Sequence, residues 1–94
     1  MQEKLEAVRV ELQEAFPDAT LEYRFSDDLH KFRINFTTHT HWLIIGSETV
    51  EDCDVDKLRN LLSVYQVVQA LKASQFSRCI VLTRQSATDQ PIPI

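Results

Sequence analysis

The chain reads as an α+β domain of order α-β-β-β-α-β, an antiparallel sheet with both helices packed on one face. Three observations predict it. Apolar residues recur at three- and four-residue spacing over residues 2–16 and again over 54–73, which marks two amphipathic helices. Between them lie segments in which apolar and polar residues alternate with the two-residue period of a strand. A short, β-branched apolar run at 78–83 follows the second helix.

The first helix places Leu5, Val8, Leu12, Ala15 and Phe16 on one face and ends before Pro17, because the residue preceding proline is pushed out of helical geometry. Residues 20–25 form the first strand, with Leu21, Tyr23 and Phe25 on one side and Glu22 and Arg24 on the other. Ser26, Asp27 and Asp28 make a turn, since short polar side chains bond their own backbone there. Residues 31–36 are the second strand, with Phe32, Ile34 and Phe36 inward and Lys31, Arg33 and Asn35 outward. The third strand runs over 39–45 and stops at Gly46. Its register depends on the preceding loop. A three-residue loop pairs Ile34 with Trp42 and turns Trp42 and Ile44 into the core; a two- or four-residue loop inverts the strand. The first is favoured, because burying the indole removes the most apolar area from water.

Residues 47–53 read as an acidic connection, and Asp54 as the N-cap of the second helix, with Cys53 and Leu58 placed to pack across its start. In that helix Leu58, Leu61, Leu62, Val64, Tyr65, Val68 and Leu71 span roughly 200° of arc, against the roughly 100° that a surface helix needs. The helix acts as a crossover, so the last strand should lie parallel to the third. Residues 1–84 are then a single α+β domain. Residues 85–94 are a polar, proline-containing tail without an element of its own.

Composition narrows the function. The length of 94 residues fits one domain with one modest core and no interdomain cleft. A net charge of −4 disfavours nonspecific adhesion to nucleic acid or anionic lipid. No apolar run approaches the roughly 18 residues that span a bilayer, and the mixed, charged start Met1-Gln2-Glu3-Lys4 lacks a secretion signal. No membrane association and a cytoplasmic location are therefore expected. Two cysteines, Cys53 and Cys79, make no disulfide framework. Gly46 is the only glycine, which excludes the glycine-rich phosphate loops, dinucleotide fingerprints and nucleophile elbows. No cofactor is implied, and no pair of residues stands out as general acid and base.

The motifs that remain are weak in chemical terms. His39-x-His41 puts two imidazoles on one strand face, as metal ligands would need, with His30 and Cys53 as further ligands to be brought near. Asp52-x-Asp54-x-Asp56 resembles the opening of a calcium loop. Such a loop takes glycine at its sixth position and a bidentate acid at its twelfth, and Lys57 and Ser63 stand there. Arg24, Lys31 and Arg33, with His39 and His41, share an outer sheet face that could bind an anion or a single strand. The helix–three strands–helix order resembles a double-stranded-RNA-binding domain. That family clasps phosphates with a lysine-rich start to its second helix, and here Cys53-Asp54-Val55-Asp56-Lys57 carries the opposite sign.

The apolar excess points to association. Trp42-Leu43-Ile44-Ile45 is apolar on both strand faces, and the second helix is apolar beyond one stripe. The sequence thus predicts a small noncatalytic protein-interaction module, adaptor, regulatory or chaperone-like, acting as a homodimer and able to bind another protein. Leu43, Ile45, Val64, Val67 and Leu71 would be buried against the partner. In size, charge and element order the chain is similar to the small acidic α+β homodimers among bacterial secretion chaperones. Anion or nucleic-acid binding through Arg24, Lys31 and Arg33 is the first alternative, and a histidine-based metal site the second.

Overall fold

The structure, a computed structural model, describes residues 2–92. Helix α1 (Glu3–Ala15) buries Leu5, Val8 and Leu12, the residues its spacing selects. Strands β1 (Thr20–Ser26) and β2 (Leu29–Asn35) form a hairpin closed by Asp27 and Asp28, both at positive φ. Two successive positive φ values match the right-handed twist of paired strands, and aspartate tolerates that conformation better than most residues. Strand β3 (Thr40–Gly46) pairs antiparallel with β2.

The loop between β2 and β3 holds four residues, closed by the Phe36 N–H donating to the His39 carbonyl at 2.9 Å. Ile34 therefore lies opposite His41, and Arg33 opposite Trp42. This corrects the expected register: His41, Leu43 and Ile45 face the helices, and Trp42 and Ile44 face away. Burying the indole in the core was not required, because it finds cover on the outer face beneath the Arg33 guanidinium, 5.7 Å from its ring centre.

The acidic connection contains a short helix, α2 (Ser47–Asp52), that buries Thr49 and Val50. The long second helix is two helices, α3 (Val55–Val64) and α4 (Val67–Ala73). They meet at Gln66, whose left-handed backbone (φ 51, ψ 43) turns the chain. Asp54 caps α3 as expected, accepting from the Lys57 N–H at 2.8 Å. The break explains the broad apolar arc. Helix α3 buries Leu58, Leu61 and Leu62, and α4, reoriented, buries Val67 and Leu71; each needs only an ordinary stripe.

Strand β4 (Cys79–Leu82) runs parallel to β3, as a crossover requires. Strand β5 (Ala87–Gln90) pairs antiparallel with β4, so the segment after residue 84 carries an element of its own, contrary to expectation. The sheet is thus mixed rather than antiparallel, five strands in the order β1-β2-β3-β4-β5, with four helices rather than two among the described residues. Helix residues and the inward positions Phe32, Ile34, Leu43, Ile45, Ile80 and Leu82 form one buried cluster. Ile44 and Cys79 are also buried, yet stand outside that cluster on the other face.

Candidate interaction face

Strand alternation sends a second set of side chains to the face away from the helical core. Register aligns Glu22, Arg33, Trp42, Cys79 and Gln90 in one row across the sheet. The adjacent row is Arg24, Lys31, Ile44, Val81 and Thr88. Trp42, Ile44 and Val81 make an apolar strip over β3 and β4, and the three cations flank it on β1 and β2. A groove of about 430 Å³ lies over β1 and β2 and reaches Trp42, lined in part by Arg24, Lys31 and Arg33.

Hydrogen bonds order one end of the face. The Arg33 Nε donates to Asn35 Oδ1 at 2.9 Å, and Asn35 Nδ2 donates to Glu22 Oε1 at 2.8 Å. The Thr40 hydroxyl donates to the same Asn35 oxygen at 3.1 Å, while Arg33 and Glu22 stand 3.7 Å apart as an exposed ion pair. Arg33 is thereby held over the indole, where guanidinium and ring attract one another. Among the described residues Arg24 and Lys31 have no ion-pair partner, so the face carries three cations against the single carboxylate of Glu22. Register keeps Arg24, Lys31 and Arg33 on one face, as alternation in the sequence has them, but His41, expected beside them, turns inward. The sequence placed Trp42 on the opposite side, and the structure adds it to them. Cys79, between Trp42 and Gln90, has its thiol pushed up by burial first and by Asp89 second, against the pull of Lys31, so it stays protonated and inert.

Four of the five residues expected at a dimer surface lie inside the chain instead. Leu43, Ile45, Val67 and Leu71 are fully buried within the chain, in the cluster shared by sheet and helices. The inverted register and the break at Gln66 put them there. Val64 alone is open, at 61 % exposure. No protein-family model, curated protein or solved structure matches the chain. The geometry therefore carries the functional argument.

The histidine pair is partly assembled. His39 and His41 rings lie 4.7 Å apart, His39 stacked on Phe36 and His41 sealed among Phe16 and Phe36. His30 faces Ile45 at the far end of the same strand pair, whereas His41 faces Ile34, and no group of three or more His, Cys, Asp or Glu residues among those described could hold a metal ion. A metal reading therefore loses its third ligand. His41 is instead a buried neutral imidazole. Burial chiefly, then the charge of neighbouring His39, holds its pKa below the ordinary value, although the Leu71 backbone pulls the other way; its Nδ1 has no hydrogen-bond partner among the described residues.

Sequence reasoning missed a second polar pair, Tyr23 and His30, joined at 2.7 Å between hydroxyl and Nδ1. The signal was present. A two-residue turn at Asp27 and Asp28 places Phe25 opposite His30 and Tyr23 opposite Phe32, so all four share the inner face.

Proposed function

We propose that the chain is a noncatalytic binding module whose outer sheet face takes an acidic protein segment bearing apolar side chains. The observation that carries this reading is half-buried Trp42 and Val81, set on either side of buried Ile44 and bordered by Arg24, Lys31 and Arg33, on a face that shares none of the helical core. Charge favours an acidic occupant, since the face is cationic while the whole chain is −4. A polynucleotide fits less well. Its affinity grows with each phosphate neutralised, and here one of three cations is already paired with Glu22. The homodimer expected from the sequence loses four of its five residues to the core, so a different partner replaces it in this reading. A cytoplasmic location belongs to the same reading, supported by two free, buried thiols.

Trp42 is the only tryptophan, so its fluorescence reports on the face directly. A synthetic peptide of alternating glutamate and leucine should change its emission saturably. Salt should weaken that binding, and Lys31→Glu with Arg24→Glu should remove it. A single-stranded oligonucleotide bound more tightly than the peptide would replace the reading with nucleic-acid binding. Silence with both ligands at low salt would end it.

A further inference from the structure

The inner face of the sheet is not covered to its end. Phe25 points toward the helical side yet is 50 % exposed. Beside it, between the start of α1, the start of α2 and the end of the β1–β2 hairpin, lies a cleft of about 580 Å³. That volume is within the roughly 300–1,000 Å³ of small-molecule sites. Leu5 and Val50 give it an apolar wall, Tyr23 and Phe25 an aromatic one, and His30 and Glu51 bring polar groups to it.

His30 is only 8 % exposed, and its environment fixes its protons. Burial lowers its pKa, with Glu51 opposing, so the imidazole is neutral near pH 7; burial raises the Tyr23 pKa, so the phenol keeps its hydrogen. A phenol is a better donor than acceptor, and its oxygen lies 2.7 Å from Nδ1. The hydroxyl therefore donates to Nδ1, and the ring hydrogen belongs on Nε2. Packing holds the imidazole in place. The Phe25 ring centre lies 4.7 Å from it, and Tyr23 stacks on it at 6.0 Å and 20°. Charge narrows the ligand class further. Glu51 is the formally charged member of the lining, and nearby Lys4 donates from Nζ to the Val50 carbonyl at 2.8 Å. An anion would meet the Glu51 carboxylate directly, whereas the Lys4 charge, held on the Val50 and Glu51 carbonyls, stands outside the lining.

We propose that this cleft binds an uncharged, planar aromatic molecule carrying a hydrogen-bond acceptor at its edge, with the ring against Phe25 and the acceptor on Nε2–H of His30. The site lies on the opposite side of the sheet from the Trp42 face, so either can fail without the other.

Benzamide is the probe and benzoate its anionic counterpart. Nuclear magnetic resonance titration should move the Leu5, Phe25, His30 and Val50 signals together and saturably, in the millimolar range. Phe25→Ala removes the exposed ring and should weaken benzamide about tenfold, the equivalent of one aromatic packing interaction. Benzoate should bind at least about tenfold more weakly than benzamide, as a like charge at the site requires. Phe25 is half-exposed, so its variant should keep the wild-type denaturation midpoint. His30→Leu removes the donor and should weaken benzamide at least about threefold. Should that variant unfold, Tyr23→Phe tests the donor instead, since losing the hydroxyl frees both tautomers and should weaken benzamide about two- to threefold. Unchanged affinity in the folded variant would overturn the donor role. Absent or unsaturable shifts, shifts confined to the Trp42 face, wild-type affinity in folded Phe25→Ala, or benzoate binding as tightly as benzamide would each overturn the proposal.

Discussion

His41 is the residue whose burial has the clearest consequence for the fold. A histidine held neutral inside the protein, with a folded pKa below its ordinary 6.5, binds a proton more readily after unfolding. Stability is then complete above pH 6.5 and falls as the pH drops below it, because the unfolded chain takes up protons that the folded chain refuses. His30 is shifted the same way and adds to the slope. Exposed Glu6 and Asp89 are shifted down by their arginine partners, but they act only below their ordinary values of 4.5 and 3.8. The interval from pH 6.5 to about 5 therefore isolates the histidines. Urea midpoints should fall across that interval in the wild type, and His41→Phe, which removes the titration and the unpaired Nδ1, should flatten the fall. An equal slope in that variant would contradict the assignment. Leu43 and Val64 test the corrected burial in the same assay. Leu43→Ala leaves a hole in the core and should cost about 2–5 kcal/mol, whereas Val64→Gln, on an open helix end, should change stability by less than about 0.5 kcal/mol. Comparable losses in the two would restore Leu43 to the surface.

At the level of elements, what the sequence made legible depends on where the information is local. Helix α1, the β1–β2 hairpin and the Asp54 cap follow from spacing, turn chemistry and a side chain three residues from the N–H it binds. The β3 register and the break between α3 and α4 do not. A one-residue difference in the loop after β2 exchanges Trp42 and Ile44 for Leu43 and Ile45, and both sets are apolar enough to be buried. Gln66 carries no sign of a break, for glutamine is a good helix former. It sits in left-handed geometry because tertiary packing gains more from turning Val67 and Leu71 inward than from continuing the helix. Holding an ordinary residue there costs about 1–2 kcal/mol, a cost that glycine largely avoids. Gln66→Gly should accordingly raise stability by about 0.5–1 kcal/mol, and Gln66→Val should lower it. Denaturant midpoints decide this. A loss with glycine would mean that the two helices join by a different geometry.

Across the whole molecule, the candidate face was half legible. The three cations share one strand parity on neighbouring strands, which alternation reveals, but Trp42 joins them only through the register of a third strand, and Val81 only through a crossover. The C-terminal segment was the least legible, since Ala87-Thr88-Asp89-Gln90 has neither β-branched density nor apolar alternation. Its strand character comes from its partner. Strand β4 is apolar on both faces and, without β5, would be a sheet edge with Ile80 and Leu82 beside it. Arg78 ties the edge together, reaching Asp89 at 2.6 Å and the Ala70 carbonyl of α4 at 3.0 Å. Ending the chain after Arg84 should therefore do more than trim a tail. It removes every β4–β5 hydrogen bond and opens one side of the core that α4 covers. The truncated chain should unfold at clearly lower urea and aggregate through the bared β4 edge. Asp89→Asn separates strand pairing from the ion pair: it leaves the ladder intact and disturbs only an exposed bridge, so its cost should stay below about 1 kcal/mol. A truncated chain as stable as the full one would mean that β5 lies on the domain without supporting it. An Asp89→Asn loss as large as the truncation would mean that the Arg78 bridge, and not the strand, holds the edge.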